Sequence, residues 1–469
     1  MQMIDGMAEP ALRDLVVIAN RLPVYWAADD VGGGAWERSP GGLVSALEPA
    51  VAVSRTSWIG WTGSVGAMEP FRRNDIDLYP VDLTEDEASG FYAGFSNATL
   101  WPLYHDAIFE SQFNQPWWDS YVDVNQRFAT RAATVAPKGA TVWVHDYHLQ
   151  LVPQMLRDLR SDLRIGFFLH IPFPAQELFL RIPWREEIMR GLLGADVVGL
   201  QTDVGAQNFR QIAKRLLGRR QTRKHVLNGD RSTLVSTFPV GIAAAKIRQI
   251  AGEATTIERA RQIRAELGEP RTVLLGVDRM DYTKGITIRL AAYRELLEEG
   301  RIDPSSVVLV QIAEPSRGEV PGYADVRVEV ERLVGGINGD FGRLDGTAVK
   351  YLHQSQPLHE LVALYLAADV MLVTPLRDGM NLVAKEYVAS RLDGTGTLIL
   401  SEFAGAAKEL TGAVLINPFD IGRLKAAIEH AVASEDTTMA RRMRAMARVV
   451  QRHDAGYWAS SFLDALSTT

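Results

Sequence analysis

Met371–Ser390 reads MLVTPLRDGMNLVAKEYVAS. The apolar run Val370 to Val373 is short enough for a buried strand, and the turn Pro375 to Met380 holds Arg377, Asp378 and Gly379. From Asn381 to Ser390, Leu382, Val383, Tyr387 and Val388 recur at helical spacing. A strand, a glycine turn and a helix start form an anion site, because N–H groups and the helix dipole both point at the ligand. Asp378 in the turn and Glu386 early in the helix cannot hold the phosphate itself; carboxylates accept hydrogen bonds from hydroxyls, as sugars and riboses offer. Phosphate at the helix tip with hydroxyls beside it points to a sugar nucleotide. An ordinary αβ unit with surface acids is a reading this stretch alone leaves equally open.

The surrounding second half repeats the pattern. Val273 to Val277 is an apolar strand ending in Asp278-Arg279, followed by Met280-Asp281-Tyr282-Thr283-Lys284-Gly285. An arginine and a lysine in one strand-end loop concentrate positive charge, which favours a phosphate clamp over scattered surface cations. Val307 to Ala313 is the next strand and closes in Glu314-Pro315-Ser316-Arg317-Gly318, again a basic strand-end loop. Leu333 to Phe341 (LVGGINGDF), rich in glycine, reads as a loop, and Ala348 to Leu352 as a strand. Leu398 to Leu400 and Leu415 to Phe419 complete the sheet, with the small-residue turn Glu402 to Ala407 between them. The tail from Asp420 to Thr469 is helical, and its Arg441 to Arg452 cluster reads as an exposed helix face.

The first half opens in the same way. Leu15 to Ala19 is a strand ending in Asn20-Arg21, followed by a glycine-rich loop, Val31 to Gly42, and a helix, Leu43 to Val53. The loop does not match GxGxxG, so no nicotinamide cofactor is indicated. Trp58 to Gly63 is a strand and turn. Phe91 to His105 and Phe113 to Tyr121 concentrate aromatic residues beside Asn, Asp and Gly, which suits a sugar pocket, although a tryptophan-rich core is the simpler reading. Ala140 to Val144 ends in His145-Asp146-Tyr147-His148, and Ile165 to Leu169 runs into His170 and two prolines, Pro172 and Pro174. No third ligand follows the histidines at a zinc-site spacing, so polar contact with a ligand at a strand end is the better assignment. Trp184 to Leu193 reads as a helix, Asp196 to Leu200 as a strand, and the charged Gln221 to Ser236 as a solvated hairpin.

Strands alternate with helices throughout, which implies parallel sheets covered on both faces. The chain of 469 residues exceeds what one core supports. Pro239 to Ile242 marks the change, giving domains of 1–240 and 241–452, with the last helix, about 453–469, joining the first. The composition, 47% hydrophobic and 23% charged, is that of a water-soluble globular protein. A net charge of −7 argues against nucleic acid and anionic membranes as partners, and no apolar run approaches a membrane span. There are no cysteines, and the acidic N-terminus lacks a signal pattern, so a cytoplasmic location is expected.

Taken in order, Asn20 to Pro23, Gly41 to Leu43, Trp58 to Gly63, Gly94 to Pro102, His145 to Leu149, Gly166 to Pro174, Arg279 to Gly285, Pro315 to Arg317, Leu376 to Glu386 and Leu400 to Ala407 resemble the trehalose-6-phosphate synthase family. The resemblance implies a GT-B fold, two Rossmann-like domains whose parallel sheets face each other across a cleft. It implies transfer of glucose with retention from a nucleotide-diphosphate glucose, UDP-glucose above GDP- or ADP-glucose, to glucose 6-phosphate, without metal or other cofactor. Arg21 and Arg317 would bind the acceptor phosphate, with Trp61, Tyr92, Trp101 and Asp146 shaping its pocket. Gly42, Arg279 and Lys284 would meet the donor diphosphate. Asp378 would hold the donor glucose, Gly379, Met380, Asn381 and Leu382 would also bind the donor, Glu386 would bind the ribose, and His170 would lie beside the donor sugar. Arg279, Lys284, Asp378 and His170 form the implied catalytic set.

Ala19 stands where that family usually has serine, and Ala243 where aspartate is common. The phosphatase domain fused in some relatives is not expected here, and a homo-oligomer is left open. The alternatives are a synthase of another phosphorylated glycoside, such as glucosylglycerol phosphate, and a catalytically silent subunit that binds sugar phosphate.

Overall fold

Uninterrupted apolar runs such as Leu15–Ala19 and Leu372–Val373 have no polar face to turn to water, and they become central strands buried on both sides. The computed structural model describes residues 13–28, 34–39, 42–52, 54–316, 321–344, 346–433 and 437–469. In chain order its strands are β1 (Arg13–Arg21), β2 (Val24–Ala28), β3 (Gly34–Arg38), β4 (Ser54–Trp61), β5 (Phe71–Arg73), β6 (Ile76–Pro80), β7 (Thr141–His145), β8 (Arg164–Phe168), β9 (Val197–Leu200), β10 (His225–Asn228) and β11 (Arg231–Thr237). The second half adds β12 (Thr272–Arg279), β13 (Val307–Glu314), β14 (Val349–Leu352), β15 (Val370–Val373), β16 (Thr397–Ser401) and β17 (Val414–Ile416).

The first sheet runs β10-β11-β9-β8-β7-β1-β4-β6-β5 and the second β14-β13-β12-β15-β16-β17. All neighbours are parallel except the edge strands β10 and β5 of the first sheet. Counting only parallel strands, both sheets follow the doubly wound order in which the first strand lies next to the second on one side and the fourth on the other. Connections therefore leave in opposite directions after β1 and β7, and again after β12 and β15. Such reversals open a crevice at the carboxyl ends of the strands. Here the two crevices face one another: Arg21, Asp146, Arg279 and Asp378, from the ends of β1, β7, β12 and β15, line a single cavity.

The last helix, Ala455–Ser467, returns to the first sheet. Phe462 lies stacked on Trp143, 4.6 Å between ring centres, and a Cβ at Gly166 or Gly199 would come within 2.6 or 2.7 Å of its ring. Those two glycines leave the groove into which Phe462 packs. At the two crossings between the sheets, Ala455 N–H donates to the Ile242 carbonyl at 2.9 Å.

Two expected loops are overturned: the glycine-rich Val31–Gly42 contains strand β3, paired antiparallel with β2, and a second loop is helix. Leu333–Phe341, read as a loop, is the end of a 21-residue helix, Pro321–Phe341. Val330, Leu333, Val334 and Ile337 lie buried in the same cluster as Leu290, Tyr293 and Leu297 of the preceding helix. Each interior glycine costs about 1 kcal/mol, but burying four such side chains contributes about 1.5–3 kcal/mol apiece. The Asn338 amide also exchanges two hydrogen bonds with the Val349 backbone. The Gln221–Ser236 hairpin is present, yet it is less solvated than its charges suggest: β11 joins the sheet beside β9, and Val226 and Val235 are fully buried. On the Thr437–Arg452 helix, Met443, Met446 and Val450 turn inward and the arginines turn to water, as expected.

Candidate active site

The cavity between the sheets encloses about 780 Å³. On its first wall Arg21, at the end of β1, lies with its guanidinium 4.1 Å from the centre of the Trp61 ring and 5.1 Å from that of Tyr92. The guanidinium passes so close over Gly63, which has φ of +99°, that a side chain there would displace it. Two aromatic faces thus hold a planar cation ready for an anion. Trp61 is nearly buried and supports Arg21 from behind, while Tyr92 and Trp101 reach the cavity wall. The aromatic stretch is both of the things its composition allowed. Phe91, Phe95 and Tyr104 are core, and Tyr92 and Trp101 project from the same run of helix, whose turns between Ala88 and Leu100 are π-type.

Asp146 has φ of +74°, and its Oδ1 accepts from the His170 N–H at 3.1 Å, which ties the end of β7 to the end of β8. His145 Nδ1 and His170 Nε2 share a hydrogen bond of 3.1 Å. His148 stacks on Tyr92. Among the described residues no group of three His, Cys, Asp or Glu could hold a metal ion.

The facing wall belongs to the second sheet. Lys284 Nζ donates to Asp378 Oδ2 at 2.7 Å, and both side chains are 12% exposed. Met380 N–H and the Asn381 amide also donate to Asp378, at 3.2 and 3.3 Å. Burial pushes the Asp378 carboxyl up, but Lys284, His105 and the Met380 N–H outweigh it and hold the group below its usual range. Asn381 caps the Leu382–Ser390 helix, its Oδ1 accepting from Ala384 N–H at 3.0 Å, so the helix start opens on the cavity. Gly379 lies against the His170 carbonyl, where a Cβ has no room, and a Cβ on Gly42 would sit 2.5 Å from Leu382. Arg279 spans the cleft, its guanidinium 5.2 Å from the Trp101 ring centre. Glu386 lies in an adjoining cavity of about 550 Å³ that shares Gly42, Asp278, Arg279 and Leu382 with the first, and its carboxylate accepts from Tyr365 at 2.9 Å. Arg317 lies outside the described residues; its neighbours Pro315 and Ser316 line the cavity.

A wall with a stacked arginine thus faces a wall with a lysine, an arginine and a helix start. The sequence profile of glycosyltransferase family 20 matches residues 13–468. This chain belongs to glycosyltransferase family 20. It is 54% identical over 471 residues to a trehalose-6-phosphate synthase of Mycolicibacterium vanbaalenii, an alignment covering 97% of this chain and 96% of that one. It is similar in structure to a trehalose-6-phosphate structure from E. coli bound with UDP-2-fluoro glucose, with TM-score 0.89, 33% identity and coverage of 97% and 99%. It is equally similar to the α,α-trehalose-phosphate synthase (UDP-forming) of Burkholderia xenovorans in complex with glucose-6-phosphate, with TM-score 0.89, 32% identity and coverage of 97% and 100%.

Beneath the site of this family 20 chain lies a group that sequence reading missed. Arg289, with a fully buried side chain, donates to Asp278 at 2.9 Å, to Gln311 at 2.8 Å and to Thr374 at 3.0 Å. Gly276 is the only residue type that leaves space for that guanidinium. One arginine therefore joins the end of β12, the middle of β13 and the residue after β15. In the sequence it is one more charge in an amphipathic helix, with no local mark of burial. His105 is another: its Nδ1 donates to the Trp101 carbonyl at 2.8 Å, and it lines the cavity.

Burial lowers three histidines: His105 to about 4, His170 to about 3 and His145 well below the ordinary value. Unfolded histidines take up protons near pH 6.5, whereas these do not until the pH is far lower, so the unfolded state binds more protons as the pH falls below about 6.5. Their contribution to stability is complete above that pH and is lost as the pH falls toward 4. Thermal unfolding is expected at a lower temperature at pH 5 than at pH 7.5, and a variant with His145 and His170 both replaced by Gln should show a smaller difference.

Proposed function

We infer that this family 20 chain transfers a glucosyl unit from a nucleotide-diphosphate glucose to the anomeric hydroxyl of glucose 6-phosphate, with retention, giving α,α-trehalose 6-phosphate and the nucleoside diphosphate. The observation that carries this reading is the pairing of the two walls: Arg21 stacked on Trp61 and Tyr92 faces Lys284, Asp378, Arg279 and the start of the Leu382–Ser390 helix across one cavity. The first wall suits a phosphorylated sugar and the second a diphosphate with a sugar attached.

In this reading the acceptor lies against the first sheet, in a domain of residues 1–240 completed by the last helix. The donor lies against the second, in a domain of residues 241–452. The acceptor phosphate is bound by Arg21 and Arg317, and the donor diphosphate by Arg279, Lys284 and the backbone at Gly42 and Leu382. The bond from the sugar C1 to the diphosphate oxygen breaks while the acceptor oxygen bonds to C1 on the same face. Neither His170, held neutral by burial, nor Asp378, engaged by Lys284, is poised to take the acceptor's proton. The developing phosphate oxygen is the base nearest that proton, and it receives it. As the C1–oxygen bond breaks, and before that proton arrives, charge builds up on the leaving group, where fixed cations and helix N–H groups lower the barrier most. Arg279 and Lys284 supply charge that a metal supplies in other transferases, so the reaction is metal-independent, and the enzyme works in the cytoplasm.

The test is release of nucleotide from UDP-, GDP- and ADP-glucose, each with glucose 6-phosphate and with free glucose. Release that requires the 6-phosphate and yields a non-reducing phosphorylated disaccharide is expected. Donor binding with no release from any of the three would favour the silent sugar-phosphate-binding subunit.

A further inference from the structure

The turn that carries Asp378 is approached from the opposite wall by His170 and Ile171, which pack on Gly379, and by a second short segment, Trp101 to Asp106. Trp101 lies beneath Arg279. His105 is buried within the electrostatic reach of Asp281, Lys284 and Asp378. Asp106 brings Oδ2 to 3.4 Å from Nε of Arg377, the residue immediately before Asp378. That contact joins the two halves of the molecule at the turn itself.

Two details mark the pair as built for this place. Asp106 has φ of +62°, a left-handed conformation that most L-residues avoid at a cost of about 1 kcal/mol and that aspartate adopts more readily. The turn is held there by Asp106 N–H to Leu103 carbonyl and Ala107 N–H to Pro102 carbonyl bonds of 3.3 and 2.9 Å, and it aims the carboxylate at Arg377. Arg377 Nε is buried and has no hydrogen-bond partner among the described residues. At 3.4 Å the two groups attract as ions but are too far apart for a good hydrogen bond; an approach of about 0.5 Å would make one. A slight closing of the cleft satisfies the buried N–H.

We propose that Asp106 and Arg377 form a latch across the cleft that holds the Asp378 turn, and the donor sugar it carries, against the acceptor's wall. The proposal rests on the glucosyl-transfer reading above. Arg377 is a positioning residue, acting through Asp378 and touching neither substrate. With the latch shut, the acceptor hydroxyl meets the donor C1. With it broken, the turn is looser, and water takes the acceptor's place, so that donor and water give glucose and nucleoside diphosphate. The side chains are 45% and 29% exposed, so the ion pair itself is modest and its effect is read in turnover, not in folding.

The experiment uses the full chain with Asp106→Arg, Arg377→Asp and the double charge exchange. It reads kcat and KM with glucose 6-phosphate, donor affinity, and disaccharide formed per nucleotide released. Each single variant is expected to lose about fivefold in kcat and to release more nucleotide without product, with donor affinity unchanged; the double variant should recover most of both losses. Single variants with parental kcat and parental coupling overturn the latch, as does a double variant whose losses are simply the sum of the singles. If charge reversal prevents folding, Asp106→Asn and Arg377→Gln singly carry the single-variant expectation, and their combination should lose no more than either alone. A parent chain that does not transfer glucose at all would overturn the transfer reading instead, which keeps the two failures apart.

Discussion

Replacing Lys284 with alanine is expected to lower kcat by about 10²-fold or more, with the loss in turnover exceeding any change in donor affinity. Lys284 Nζ is 2.7 Å from Asp378 and both side chains are only 12% exposed, where a fixed charge counts for more than at the surface. Its removal also leaves the Asp378 carboxylate buried without its cation, so the variant should be less stable as well. Arg279→Ala separates these effects. Its side chain is 39% exposed and its nearest carboxylate, on Asp281, is 3.9 Å away, so folding should hardly change while turnover falls by a similar factor. Steady-state rates and thermal unfolding of both variants make the check. Near-parental turnover in both would remove the diphosphate clamp from the mechanism.

Arg289→Met is expected to cost about 3–5 kcal/mol of stability, because it strands the Asp278 carboxylate in the interior. Burial already raises the Asp278 carboxyl above its ordinary range, with Arg289 working against that rise. Without the guanidinium, Gln311 and Thr374 also lose a donor. The paired variant Arg289→Met with Asp278→Asn should regain much of the loss, since the uncompensated charge is gone, yet turnover should stay low because β12, β13 and β15 are no longer tied together at the clamp. Urea unfolding of the single and paired variants, alongside their rates, gives the comparison. A cost below about 1 kcal/mol for the single change would mean that the network contributes little to folding.

Much of this site lies in short stretches whose local pattern carries the chemistry. Arg279 and Lys284 stand in one loop after a strand, and Asp378 and Asn381 in one turn before a helix; the structure brings all four to one cavity. The residues that escaped notice act at long range. Arg289 reaches Thr374 across 85 positions, and Asp106 meets Arg377 from the other half of the chain. No window of sequence contains both members of such a pair. The resemblance implies Trp61 at the acceptor pocket, and the structure sets its ring against the Arg21 guanidinium; whether an aromatic ring lines a pocket or supports the residue that does is settled by packing.

By itself the sequence determined the alternation of strand and helix, the strand-end loops that carry charge, and the family, because each is written in contiguous residues with a periodicity or an order of motifs. Only the tertiary structure decided the rest. It turned the glycine-rich Leu333–Phe341 into helix, since burying Val330, Leu333, Val334 and Ile337 against a neighbouring helix outweighs the cost of the glycines. It brought the last helix back onto the first sheet through Phe462 and the spaces at Gly166 and Gly199. And it set two strand-order reversals face to face, which no local preference specifies: a cleft exists only when two sheets bury surface against each other.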